Sequence, residues 1–237
     1  MNGPALGDAT LRRVRAMWAT LAGADQFPEA GMRVVCSPSS EICPKGWAGI
    51  VAIHEGVLAT VPSESHVEAL TRVMRDVEPT GDWSVVFATA PETRGPANLA
   101  YTDGLTTPRP GGAGEVELLA PADSAVRAFV ARVPVTDREE ANVEASTSPL
   151  ACVRDGGAVV AAAGYRVWLD DVAHLSVLVD PAHRGRGVAT LVAYAAVERA
   201  CARGLVAQWR ARPPASRAVA RKLGFVEVGQ QISVRLA

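Results

Sequence analysis

Lysine is almost missing from this 237-residue chain. Only Lys45 and Lys222 are lysines among the 24 basic residues, so arginine carries nearly all of the positive charge. The bias is compositional and takes weight away from any single arginine as a site marker. Against 25 acidic residues it leaves a net charge of -1, which excludes a general field for nucleic acid or an anionic membrane surface. Long apolar runs are absent: the best, Val188–Val197, is about half of what a bilayer needs. The stretch Met1–Leu21 has no apolar segment ahead of a small-residue cleavage site, so it does not read as a signal peptide. Cysteine is scarce and scattered. Cys36, Cys43, Cys152 and Cys201 lack metal-ligand spacing and read as buried free thiols, with no metal expected. These absences point to a cytoplasmic protein. At 49% hydrophobic and 21% charged, the chain has the balance of a globular protein and the length to bury a core without disulfides.

The clearest break is Gly104–Gly114, GLTTPRPGGAG, which cannot hold a helix or a central strand. It predicts two parts, residues 1–112 and 113–237, with no repeat or further low-complexity tract. The first reads as a small α/β extension. Asp8 is placed to cap a helix with Leu11, Val14, Trp18 and Leu21 on one face. Arg33–Cys36, Trp47–Ile53 and Val57–Val61 read as strands, the last two joined by a hairpin turn. Ser65 with Glu68 has the spacing of a capping box, and Trp83–Ala88 reads as a further strand. His54 and His66 carry no pattern that makes them ligands.

The second part predicts the order β-α-α-β-β-β-α-β-α-β-β. Its informative segment is LSVLVDPAHRGRGVATLVAYAAV, Leu175–Val197. A strand ends at Val179, Pro181 breaks it, and Arg184-Gly185-Arg186-Gly187-Val188-Ala189 opens an apolar helix. Glycines at 185 and 187 let the backbone turn sharply and present successive N–H groups, and the helix adds its positive end, so the turn suits a pyrophosphate. It is not the dinucleotide fingerprint, because Thr190 stands where a third glycine would, and no Gly-Lys-Ser/Thr of a phosphate-binding loop occurs.

With this context the segment resembles the GNAT superfamily of acyl-CoA-dependent N-acetyltransferases. Arg184-x-x-Gly187-x-Ala189 is similar to the family's Q/R-x-x-G-x-G/A motif, Val177-Leu178-Val179 to the strand end before it, and Ser216 through Lys222-Leu223-Gly224-Phe225 to its second motif. The resemblance covers roughly Ala113–Ala237. It implies an α/β (α+β) GNAT fold with a central mixed, mostly antiparallel sheet splayed at the CoA site. It also implies acetyl-CoA as cosubstrate, its pantetheine arm along Val177, Leu178 and Val179 and its pyrophosphate on Arg184, Gly185, Arg186, Gly187, Val188, Ala189 and Thr190. The implied reaction is direct attack by a primary amine on the thioester, with a backbone N–H near Leu178 holding the oxyanion. A homodimer is compatible with this reading.

Two positions depart from the family pattern. Pro213 stands where an asparagine is usual, and Ala220 where many members carry the tyrosine that protonates the departing thiolate. Tyr194 and Tyr165 are the alternative donors, with ordinary packing the favoured reading of each. For the base that removes the amine proton, three residues are candidates. Asp171 lies where several members carry a glutamate but is also a normal turn residue. His174 has the right intrinsic pKa, with a satisfied structural histidine the favoured reading beside it. Glu144 ends the second helical stretch. Two rival readings stay open: a non-catalytic acyl-CoA-binding or regulatory module, and transfer from a different acyl-CoA.

Overall fold

The computed structural model describes residues 5–75, 77, 83–88, 90–111 and 114–236. In chain order its elements are α1 Asp8–Ala22, β1 Gly31–Cys36, β2 Ala48–Ile53, β3 Gly56–Val61, α2 Val67–Met74, α3 Ser84–Ala88, β4 Glu92–Thr102, β5 Glu117–Leu119, α4 Ser124–Arg132, α5 Val135–Ala141, β6 Leu150–Asp155, β7 Ala158–Trp168, β8 Val172–Val179, α6 Val188–Ala202, β9 Val206–Ala211, α7 Pro214–Lys222 and β10 Val226–Arg235. Two compact units emerge, each assembled from several stretches. One comprises residues 1–5, 101–210 and 214–226, and the other 6–100, 211–213 and 227–237. The expected boundary between 112 and 113 lies outside the described residues.

In the unit dominated by the first hundred residues the strand order is β1-β3-β2-β10-β4. The β2–β3 hairpin forms as predicted, with Ile53 opposite Gly56 and His54 in the left-handed region at φ 51°. β1 joins β3 in parallel, and β10 joins β2 antiparallel, so the last strand completes a sheet begun by the first ones. Every residue of β2 and β3 is buried, which explains their unbroken apolar sequence: the sheet is covered on both faces. Ile50, Ala52, Val57, Ala59, Leu70, Met74, Trp83, Val86, Ile232 and Val234 form the core on one side.

Three local expectations fail here. Ser84–Ala88 is a helix and not a strand; Val86 is buried in the core while Val85 is 41% exposed, a one-sided burial that five residues cannot distinguish from strand alternation. The Ser65–Glu68 box is not made, because a short 3-10 turn over Glu64–His66 precedes α2 and the Ser65 hydroxyl pairs with that of Ser63. Asp8 is the first residue of α1 and not its cap; Gly7 caps it through the backbone alone.

The other unit has the strand order β9-β8-β7-β6-β5. β5–β6, β6–β7 and β7–β8 are antiparallel and β8–β9 parallel, which makes the sheet mixed but mostly antiparallel, as expected. Asp123 caps α4 by accepting from the Ala125 N–H at 2.8 Å. Val126, Phe129, Val130 and Val133 then pack with Val143, Leu150, Cys152, Val159, Ala162 and Leu178. The second helical stretch, expected to run to Glu144, is interrupted: α5 stops at Ala141, Asn142 sits at φ 44°, and Val143–Ala145 is a 3-10 turn. α6 is apolar over most of its surface, with Val188, Leu191, Val192, Ala193, Ala195, Ala196, Val197 and Ala200 all buried and the charged pair Glu198 and Arg199 exposed near its end. A helix of this kind is held by packing along its full length, which fixes where its N-terminus lies. The four thiols are free, but only Cys152 is buried outright; Cys36, Cys43 and Cys201 are half-buried, a correction to the expectation of four buried cysteines. Burial, with Glu117 nearby, pushes the Cys152 thiol up to about 12, so it is inert.

Tight approach within the first sheet is testable at Gly229, opposite Ile53 on β2. A Cβ there would collide with the Ala52 carbonyl oxygen. Gly229→Ala should destabilise the protein by about 1–3 kcal/mol in urea unfolding, whereas Gly111→Ala, with nothing within 4 Å of the new carbon, should stay within about 0.5 kcal/mol of wild type.

Candidate acyl-CoA site

The site begins where a strand loses one neighbour. β8 pairs with β7 along its whole length, from Trp168↔Val172 to Ala161↔Val179. With β9 it shares only three rungs, Val172↔Val206, Ala173↔Ala207 and His174↔Gln208. From Leu175 to Val179 the β9-facing main chain has no ladder partner among the described pairings. Backbone groups of this kind seek an extended partner, and Val177, Leu178 and Val179 are the residues that present them. Leu178 is buried in the α4 core, while Val177 and Val179 are half-exposed.

The chain then turns into α6. The Asp180 N–H donates to the Val160 carbonyl at 2.9 Å, and the Asp180 carboxylate accepts from the Ala182 N–H at 3.0 Å, capping a 3-10 turn over Pro181–His183. That backbone hydrogen bond, with Arg132 nearby, holds the Asp180 carboxyl below the usual carboxylate range. His183 Nε2 lies 3.0 Å from Asp155 at the end of β6, a second tie on the turn. Gly185 and Gly187 follow at φ 77° and 80°, values L side chains rarely adopt. A Cβ at either would meet nothing within 4 Å, so the space in front of the turn is open. Gly187 is the N-cap of α6 and supplies no side-chain hydrogen bond, so the first N–H groups of the helix, at Val188, Ala189 and Thr190, keep their donors for another acceptor. Uncapped donors at a positive helix end, beside backbone no side chain blocks, fit a pyrophosphate. The guanidinium of Arg184 lies 2.6 Å from Asp137 on α5, and Arg186 is exposed.

Of the three candidate bases, the structure places His174 at the last β8–β9 rung. Its Nδ1 is 2.6 Å from Gln208 Oε1, and its ring stacks on Trp168 at 4.4 Å and 10°. Burial first, and then the Arg210 and Arg166 cations, lower the imidazole from 6.5 to about 4 against the opposing effect of the Gln208 hydrogen bond. The ring is therefore neutral at pH 7. Asp171 closes the β7–β8 hairpin: its N–H donates to the Trp168 carbonyl across Leu169 and Asp170, both left-handed, and its carbonyl accepts from Val206. Glu144 is exposed on the 3-10 turn that packs against β8. Tyr165 is buried, with its hydroxyl 3.4 Å from Arg203, and Tyr194 is half-buried on α6. Ala220 is buried in α7, which is tied to β9 by the Trp209 indole N–H on Ser216 at 3.0 Å.

Sequence reading missed Gln208, Tyr101 and Asp137. Gln208 had a signal: it is the one amide in the apolar strand Leu205–Trp209. Tyr101 and Asp137 had none, since each acquires its partner only through the fold. Among the described residues no three His, Cys, Asp or Glu side chains gather as a metal group, and no helix is long and apolar enough to cross a membrane.

An open strand edge thus runs into a glycine turn and a helix N-terminus that no side chain caps. Residues 151–231 match the family model described as GNAT acetyltransferase. No curated protein sequence matches the chain. Solved structures similar to it include a GNAT-family acetyltransferase from Colwellia psychrerythraea (16% identity over 65% of this chain and 60% of that one, TM-score 0.47). A GCN5-related N-acetyltransferase from Kribbella flavida aligns at 19% identity over 64% of this chain and 62% of that one, TM-score 0.48. A GCN5-related N-acetyltransferase-like protein from Streptococcus suis aligns at 16% over 79% and 83%, TM-score 0.45. The chain thus spans about three fifths of the first two.

The lowered imidazole has a consequence for stability. Between pH 6.5 and 4 the unfolded chain binds a proton at His174 that the folded protein refuses. Stability should therefore be full above pH 6.5, fall as the pH drops towards 4, and level off below. Thermal unfolding should show a wild-type decline over this window that is shallower in His174→Gln.

Proposed function

We propose that the protein is an N-acetyltransferase that moves an acetyl group from acetyl-CoA to a primary amine. The observation that carries this reading is the juxtaposition of the unpaired β8 edge with the Gly185–Gly187 turn, within the segment matched to the family. Acetyl-CoA supplies the activated thioester; the chain's residues orient it and handle the proton. Main-chain groups of Val177, Leu178 and Val179 take the pantetheine arm as an extra strand. The turn and helix end, Arg184, Gly185, Arg186, Gly187, Val188, Ala189 and Thr190, take the pyrophosphate through backbone N–H groups. An N–H near Leu178 is the oxyanion donor. His174, neutral and at the mouth of the opening, accepts the amine proton. Asp171, engaged in its hairpin, and Glu144, on an exposed turn, are weaker claimants to that role. Residues 113–237 form the acetyltransferase portion and 1–112 the extension, and the acceptor can be a small molecule or a protein amine.

Ala220, in place of the usual acid, favours a second reading, an acyl-CoA-binding module without turnover. Release of CoA across an amine panel separates the two: binding of acetyl-CoA with no release for any amine selects the module. Propionyl- or succinyl-CoA competition tests the donor.

The turn offers the sharpest test. Acetyl-CoA at about a hundred times its dissociation constant should stabilise wild type by about 2.7 kcal/mol, seen as a rise in melting temperature. Gly187→Asp should abolish the rise by putting a negative side chain before the phosphate. Gly187→Asn carries the same backbone strain without the charge and should keep part of it. Arg186→Ala should keep nearly all, since an exposed ionic contact is worth under about 1 kcal/mol. No rise in wild type with millimolar CoA, acetyl-CoA or longer acyl-CoAs would refute the reading.

A further inference from the structure

Gln208 is fully buried in β9 between Ala207 and Trp209, where an apolar residue would pack as well. A buried amide must satisfy both its ends, and this one does so with two specific partners. Its Oε1 is 2.6 Å from His174 Nδ1, and its Nε2 donates to the hydroxyl of Tyr101 at 2.7 Å. Tyr101 is itself fully buried, so the amide is clamped from behind. On the imidazole side, Trp168 lies flat against the ring and fixes its plane. Plane and edge are thereby both determined.

We propose that Gln208 is a positioning residue: held by Tyr101, it fixes His174 with its proton on Nδ1 and its lone pair on Nε2, at the rung where β8 and β9 part. The carbonyl end of an amide can only accept, so the nitrogen facing it must carry the hydrogen. Nε2 is then the single ring position able to take a proton. This rests on the reading of His174 as the base. In that reaction the neutral amine forms its N–C bond as the thioester C–S bond breaks, and the electron pair leaves with sulfur. One amine proton moves to Nε2, and Nδ1–H keeps its bond to Gln208 throughout. The proton then passes from Nε2 to the thiolate, which yields CoA as the thiol and restores the neutral ring. Returned in this way, the proton needs no tyrosine at position 220.

Among the described contacts, Gln208 is the hydrogen-bond partner of Nδ1. β7 presents Arg166 opposite His174 and β9 presents Arg210, both cations. The acids on elements packed against β8 are Asp137, Glu139 and Glu140 on α5, Glu144 on the 3-10 turn and Glu198 on α6, with Asp171 preceding the strand itself.

The test is nitrogen NMR of the full chain labelled at histidine, combined with kinetics. In wild type at pH 7 the His174 proton should sit on Nδ1, and in Gln208→Leu it should redistribute towards Nε2. That variant should lose about tenfold or more in kcat with KM for acetyl-CoA unchanged. Gln208→Glu places a carboxylate against Nδ1–H, so the His174 titration and the acid limb of kcat should rise together by about one pH unit or more. A wild-type proton on Nε2, meaning the amide is reversed, overturns the proposal. So does a Gln208→Leu enzyme with wild-type kcat, or a Gln208→Glu titration that moves while the kcat limb stays. If acetyl-CoA binds and the proton is on Nδ1 but no amine releases CoA, the base assignment falls and the tautomer lock stands.

Discussion

The separation of β8 from β9 after three shared rungs is the constraint on which the site depends. A parallel pair that continued to Val179 would satisfy the strand on both sides and leave nothing to bind. Because pairing stops at His174↔Gln208, the main chain of Leu175–Val179 is held straight by β7 on one side and left open on the other. The open edge needs a rigid backing, and the β7 ladder together with Leu178 in the α4 core provides it. The turn beyond the strand is equally constrained. Asp180 and His183 pin its 3-10 segment, and the buried length of α6 fixes the direction in which its first N–H groups point.

The candidate segment was legible in sequence because it is an arrangement of backbone. Backbone sites leave a strong imprint: glycines where φ must be positive, a proline to stop the strand, and an unbroken apolar helix behind. All three features sit within Leu175–Val197, and the observed β8, 3-10 turn and α6 come in that order. The mostly antiparallel order of the sheet is legible for a similar reason, since Asp155-Gly156 and Asp170-Asp171 stand at the β6–β7 and β7–β8 turns. Side-chain partnerships left little imprint. Arg184 reads as a free cation in sequence, but the fold brings Asp137 to 2.6 Å from it across 47 residues. The Gln208–Tyr101 contact spans 107 residues and has no local signature at the tyrosine.

The first hundred residues show the opposite limit. Their strands were found where the apolar runs were continuous, and missed where five residues fitted either period, as at Ser84–Ala88. No sequence pattern announced that β10 would pair with β2. Non-local pairing of this kind is decided by which apolar surfaces remain to be covered, a property of the whole chain. It is also why each compact unit is assembled from several stretches of the chain.

The environment of His174 fits a transient proton carrier better than a permanent charge. Two arginines and burial oppose the cation, so the ring rests neutral and gives up any proton it takes. A base of such low affinity would be useless against a free ammonium ion. In the proposed transfer, however, the nitrogen becomes acidic as it bonds to the acyl carbon, and a weak base then suffices. The same low affinity speeds the return of the proton to sulfur, whose thiol holds it far more tightly, with a pKa of about 8.5. An acid at position 220 would duplicate that step. On that proposal the buried alanine at this position leaves a single imidazole to serve both proton transfers.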